Sequence, residues 1–318
     1  MEHKRIAALH DISGFGRGSM TTAIAVCAAA GIQCCPLVGA VLSAHTAYPD
    51  VHIRDLTADL PATVENWKQI GCRFDGLYSG YMSDMAQSQS MLYLKEHCAK
   101  PGSLLLVDPV MGDNGKAYAG AFGPTFARQM ADYCARADVI TPNLTEAAML
   151  LGEAPDAWRD EPAFVSRYLE RLGALGPFAV VITGIHDGKG QVGAAFRTQT
   201  GASGLILRPQ VDAYFPGTGD LFASVLLTAL LRRPGELAFA VERAVDFVYR
   251  CVERTHQAGP PPIDGVLLEA MLPALFPAQE EQGQCAAQWN QGKTEAPAAV
   301  PGPGTTALPK SCFGLPCP

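Results

Sequence analysis

Short apolar runs alternate with longer stretches of helical period along most of the chain, and that alternation sets the expected fold. The apolar runs predict strands at Arg5–Asp11, Leu37–Leu42, Gly76–Ser79, Leu104–Asp108, Asp138–Thr141 and Phe178–Thr183. Between them, apolar positions three and four residues apart predict helices at Met20–Ala30, Leu60–Ile70, Met85–Cys98, Pro124–Ala135, Leu144–Leu151 and Pro162–Leu172. Continuous apolar strands separated by such helices are buried on both faces, which means β-α-β units and a mostly parallel sheet. The expected class is therefore α/β. Two shorter runs, Gly193–Arg197 and Leu205–Leu207, predict a hairpin-like edge to the sheet. Two helices close the pattern, Leu221–Arg232 and Leu237–Thr255, the first stopped at Arg232-Arg233-Pro234-Gly235.

The pattern ends near Ala278. From there Gln, Gly, Ala and Pro dominate, with Pro-Gly-Pro-Gly at Pro301–Gly304. Such a segment buries too little apolar surface to offset its ordering entropy. A single domain over 1–277 is expected, followed by a disordered, low-complexity tail over 278–318. Cys285, Cys312 and Cys317 lie in that tail and are read as incidental.

Composition narrows the partners. Hydrophobic residues make up 48% and charged residues 17% of the 318 positions, enough for a sizeable core without disulfide or metal staples. The net charge of −7, with no block of Lys and Arg, argues against nucleic acid and anionic membrane as partners. No apolar run approaches the roughly 18 residues that span a bilayer, and Ile6–Leu9 is too short for a signal segment. The ten cysteines include no Cys-x-x-Cys pair, which points to reduced thiols in a cytoplasmic protein.

Ligands of open parallel sheets bind outside the carboxyl ends of the strands, so the residues that end each strand come next. In Pro216-Gly217-Thr218-Gly219-Asp220, two glycines allow a tight turn that exposes backbone N–H groups, and a helix begins at once. The free donors and positive dipole end of that helix suit a phosphate gaining charge, and an acid there can act as a base towards an alcohol. An ordinary helix N-cap is the alternative role for Asp220. Asp108-Pro109-Val110-Met111-Gly112-Asp113 follows an apolar run, and its carboxylates could organise Mg²⁺ near phosphates or simply make a polar turn. Thr141-Pro142-Asn143-Leu144-Thr145-Glu146 has the spacing of a capping box. Glu146 could also face the carboxyl edge of the sheet and hold a metal-bound water. The loop His10-Asp11-Ile12-Ser13-Gly14-Phe15-Gly16-Arg17-Gly18-Ser19 has the wrong glycine spacing for a dinucleotide site, and no Walker phosphate loop occurs. Its Asp11 and Ser13 suit hydrogen bonds to a polar small molecule.

Taken together, this glycine loop, Asp-Pro-Val-Met-Gly, Thr-Pro-Asn-x-x-Glu and Gly-Thr-Gly-Asp before a helix resemble the ribokinase superfamily. Ser43-Ala44-His45-Thr46 and Ser79-Gly80-Tyr81 narrow the resemblance to the pyridoxal/pyridoxamine kinases of vitamin B6 salvage. That resemblance runs from Arg5 to Phe276 and implies a three-layer α/β/α fold that moves a phosphoryl group from ATP to a pyridine 5′-hydroxymethyl group. It implies Asp220 as the catalytic base, with Gly217, Thr218 and Gly219 completing the anion hole. It implies Asp108, Asp113, Thr141, Asn143, Glu146 and Thr183 around ATP phosphates, Mg²⁺ and a monovalent cation, K⁺, with Asp108 and Glu146 nearest the metal. Ser13, Thr46 and Tyr81 match pyridine-site positions, Asp11 stands where one bacterial branch has serine, and Tyr118 matches a flap tyrosine. A homodimer is implied in the same way. Two rivals remain open at this point: hydroxymethylpyrimidine kinase of thiamine synthesis, which usually carries cysteine where Asp220 stands, and a non-catalytic B6-binding protein.

Overall fold

Each predicted apolar run becomes a strand of one sheet. A computed structural model describes residues 3–120, 122–159 and 161–276. Two units are distinguished, Met1–Phe276 and Pro277–Pro318; the tail expected over 278–318, with its three cysteines, lies outside the described residues. Among the described residues the main sheet has nine strands. At its centre six run parallel, in the spatial order β2 (Gln33–Leu42), β1 (Arg5–Ser13), β4 (Phe74–Ser79), β5 (Ala99–Val107), β8 (Val139–Ile140) and β9 (Ala179–His186). β3 (Ile53–Asp55) pairs antiparallel with β2 at one edge. At the other edge β10 (Gln191–Thr198) and β11 (Ser203–Pro209) continue from β9 as an antiparallel meander. A separate hairpin, β6 (Gly112–Asp113) with β7 (Lys116–Ala117), follows β5.

Side chains alternate across a strand, so a strand buried on both faces feeds two cores. On β1, Ala7 and Leu9 join the core beneath α2 (Leu60–Gln69), α3 (Ala86–His97), α4 (Pro124–Cys134), α5 (Leu144–Leu150) and α6 (Pro162–Gly173). Ile6 and Ala8 join the opposite core, beneath α1 (Ser19–Ala29), α7 (Thr218–Arg232) and α8 (Leu237–Ala258). The result is three layers, with five of the described α-helices on one face and three on the other. α7 is apolar all round, and every residue from Leu221 to Leu231 is buried. A helix of that composition needs cover on all sides, and it packs closely with α1 and α8.

The structure also departs from the sequence reading. β1 runs two residues past Asp11, because pairing with β2 continues to Ser13 through a register shift between His10 and Asp11. β2 begins at Gln33 and β5 at Ala99, four and five residues ahead of their apolar stretches, because each pairs with a strand that begins there. β3, β6 and β7 are additions. None of the described helices is long and apolar enough to cross a membrane.

Candidate active site

Gly217 starts the site. It is the N-cap of α7 and has a left-handed backbone, φ 83°. A Cβ there would lie 2.6 Å from the Arg17 carbonyl oxygen, so only glycine fits. The following turn places Gly217, Thr218, Gly219 and Asp220 on the wall of a cavity of about 420 Å³. Their N–H groups have no hydrogen-bond partner among the described residues, as expected for a helix's first turn.

Asp220 lies deep in this wall. Its Oδ2 accepts a 2.7 Å hydrogen bond from the Ser19 N–H at the start of α1, so two helix N-termini converge on one carboxyl group. Burial pushes the Asp220 carboxyl up to about 7; the Ser19 bond opposes the shift and the nearby negative charge of Asp11 adds to it. Ser19 itself has φ 47°, an uncommon conformation for a residue with a Cβ.

Across the cavity, Asp108 follows β5 and its Oδ1 accepts from the Thr141 hydroxyl at 3.0 Å. Burial, and then the charge of Asp220, push the Asp108 carboxyl up to about 7. Glu146 is buried as well. It accepts from the backbone N–H groups of Asn143 (2.9 Å) and Met111 (3.1 Å), and burial followed by the charge of Asp108 raises its pKa. Asn143 completes the capping box, its Oδ1 accepting from the Glu146 N–H at 2.9 Å, and its Nδ2 donates to the Gly112 carbonyl at 2.8 Å. Capping and cavity lining therefore coexist in these two residues. Thr183 is held beside them by its N–H bond to the Pro142 carbonyl, 3.0 Å. Asn143→Ala is expected to cost about 1 kcal/mol of stability, the usual worth of an N-cap, seen as a lower denaturant midpoint at unchanged slope.

Asp113 and Tyr118 line the same cavity from the β6–β7 hairpin. The Tyr214 hydroxyl donates to Asp113 at 3.4 Å, and Tyr118 exposes 43% of its surface, with its phenol pKa raised by burial of the hydroxyl end and then by the charge of Glu146. The remaining residues expected at the substrate do not line it. Asp11 and Ser13 are buried on β1, the Ser13 hydroxyl donating to Asp11 at 2.9 Å. Burial raises the Asp11 pKa, opposed first by the Ser19 hydroxyl and then by Ser13. Burial, and then the charge of Asp11, raise the Tyr81 phenol pKa. Thr46 is exposed in the turn after β2, outside both groups. Sequence reasoning missed Ser19 and His10, although Ser19 opens the helix after the glycine loop and His10 breaks an apolar run.

The sequence model of the phosphomethylpyrimidine kinases matches residues 84–263, more than half of the chain. The chain belongs to that family. Among solved structures it is similar to a Bacteroides thetaiotaomicron protein described as a phosphomethylpyrimidine kinase and crystallised with pyridoxal. The two are 36% identical with a TM-score of 0.80, over 87% of this chain and 98% of that one. It is also similar to pyridoxal kinase from Lactobacillus plantarum, at 30% identity and a TM-score of 0.78, over 89% and 99% of the two chains. Among curated relatives, pyridoxal kinase PdxY of Rubrobacter xylanophilus is 30% identical over 211 residues, covering 63% of this chain and 70% of that one. This phosphomethylpyrimidine kinase family member is thus a kinase with the ribokinase-like fold.

A kinase of this family needs charge balance at its phosphates. No three His, Cys, Asp or Glu side chains form a metal cage among the described residues. Mg²⁺ needs none, since it takes one or two carboxylates and completes its shell with water and phosphate oxygens. Asp108 and Glu146, two buried acids of which Asp108 raises the pKa of Glu146, fit that demand. The raised carboxyls also set a pH dependence. With Asp220 in the expected role of base, which works as its carboxylate, kcat/KM is expected to rise with pH through about 7 and level off above it, in initial rates. Stability has the opposite sign. The extra protonation of folded Asp108 and Asp220 is fully stabilising below the ordinary value of 3.8 and lost as pH rises through about 7. The melting temperature of the ligand-free protein is expected to carry a falling contribution across that window.

Proposed function

We propose that this kinase transfers the γ-phosphoryl group of ATP to the 5′-hydroxymethyl group of pyridoxal, pyridoxamine or pyridoxine, a salvage step towards pyridoxal 5′-phosphate. The observation that carries this reading is Asp220: a carboxyl of near-neutral pKa with 15% of its side chain exposed, beside free helix N–H groups and facing Asp108 across one cavity. The similarity to pyridoxal kinases, and to a structure holding pyridoxal, supports the acceptor.

In this reading the acceptor alcohol gives its proton to Asp220 as its oxygen bonds to the γ-phosphorus. The bond from that phosphorus to the bridging oxygen breaks, and ADP leaves. The N–H groups of Gly217 to Asp220 stabilise the charge on the transferring phosphoryl. Bound at Asp108 and Glu146, Mg²⁺ would neutralise part of the phosphate charge. Asp113, Thr141, Asn143 and Thr183 border the nucleotide phosphates. Asp11, Ser13 and Tyr81 border the pyridine, with Thr46 on the loop above and Tyr118 on the hairpin. Most of the rate comes from positioning and electrostatics, as in other phosphoryl transfers. The reading also includes K⁺ as a second cation, a homodimer and a cytosolic setting.

The family model also covers a second acceptor, the hydroxymethylpyrimidine of thiamine synthesis. Initial rates of ADP release with each of the three vitamers and with that pyrimidine distinguish the two. A vitamer is expected to have the highest kcat/KM; a preference for the pyrimidine would overturn the acceptor.

A further inference from the structure

Behind Asp220 lies a side chain that the mechanism above does not use. His10 sits on β1, one residue before the register shift, and its ring is wholly buried. The ring fills the space left by Gly80, where a Cβ would lie 2.1 Å from its Cε1, and it meets the Tyr78 ring edge-on at 4.4 Å. Neither ring nitrogen has a hydrogen-bond partner among the described residues. Nδ1 lies 3.8 Å from Asp220 Oδ1, just beyond hydrogen-bond reach. A buried, unpartnered polar ring costs stability that an apolar side chain in its place would not.

Burial pushes the ring's pKa down to about 3, so His10 is neutral and carries one N–H. With that hydrogen on Nδ1, the donor lies 3.8 Å from the one oxygen of Asp220 that Ser19 does not hold. We propose that His10 is a positioning residue for Asp220: its Nδ1–H closes on Oδ1 when substrate is bound and, with the Ser19 N–H on Oδ2, fixes the plane of the carboxylate. Each carboxylate oxygen keeps a second lone pair, so one remains for the alcohol proton. His10 exchanges no proton. The proposal rests on Asp220 being the base.

The test uses the full chain with Mg²⁺, ATP and whichever hydroxymethyl heterocycle the wild type phosphorylates. His10→Leu removes the donor at similar volume. Its kcat is expected to fall about tenfold, the worth of one hydrogen bond to a charged group. Its KM for ATP should stay unchanged and its melting temperature equal or higher. His10→Asn returns an N–H near the Nδ1 position and keeps most of the wild-type kcat. His10→Gln places its N–H near Nε2 instead and stays slow. A merely structural histidine would give the reverse, a lower melting temperature at unchanged kcat. His10→Leu turning over at the wild-type rate would overturn the proposal. Should that variant not fold, equal rates for His10→Asn and His10→Gln would overturn it as well. Failure of the base assignment shows separately, as a fast Asp220→Asn enzyme.

Discussion

Asp220→Asn is expected to lower kcat by about 10²-fold or more, within the range for a general acid–base group, and to leave KM for ATP close to wild type. Asparagine has nearly the same shape, and its side-chain oxygen can still accept the Ser19 N–H that holds Oδ2 at 2.7 Å. The turn and its N–H groups therefore persist. What is lost is the ability to take a proton from the alcohol. The substitution also removes a negative charge that pushes Asp108 up. Above pH 7 the variant is thus expected to melt no lower than the wild type, which separates lost chemistry from lost folding. A near-wild-type kcat in a folded Asp220→Asn protein would contradict the base assignment.

Gly217→Ala is expected to lower kcat by about 10²-fold, the loss seen when one donor to a developing oxyanion is removed. Stability should fall with it. The left-handed φ of 83° costs a residue with a Cβ about 1–3 kcal/mol when the surroundings enforce it. The new Cβ would also lie 2.6 Å from the Arg17 carbonyl oxygen, a backbone atom with little freedom to yield. Relief requires the turn to move, and Thr218 to Asp220 move with it. Both losses together, in initial rates and in thermal melting, are the expected signature. A destabilised variant with unchanged kcat would show that the turn's N–H groups do not act on the phosphoryl.

The six parallel strands are legible in the sequence because burial on both faces makes each an apolar run. β3, β6 and β7 are not. Ile53-Arg54-Asp55, Gly112-Asp113 and Lys116-Ala117 are too short and too polar to show a period, and they are strands only through their pairing. The same holds for Ile12-Ser13 at the end of β1. At the site, Asp108, Thr141, Asn143, Glu146 and Gly217 to Asp220 reach one cavity because each lies just beyond a strand end or opens a helix, whereas Thr183 reaches it from within β9, which runs three residues further to His186. Ser19 contributes through its backbone N–H and its φ of 47°, neither of which a residue letter reveals. His10 reads as a core residue until its distance to Asp220 is known. Asp11 and Tyr81 look unrelated along the chain, and the Asp11 charge reaches the Tyr81 phenol because β1 and β4 are neighbours.

The most direct test follows the phosphoryl group itself. Purified protein is incubated with ATP, Mg²⁺ and pyridoxal, and ADP and pyridoxal 5′-phosphate are quantified chromatographically from the same samples. The expected result is equal molar amounts of the two products, formed by the wild type and nearly absent with Asp220→Asn. ADP without phosphorylated pyridine, or no ADP with any of the three vitamers, would contradict it.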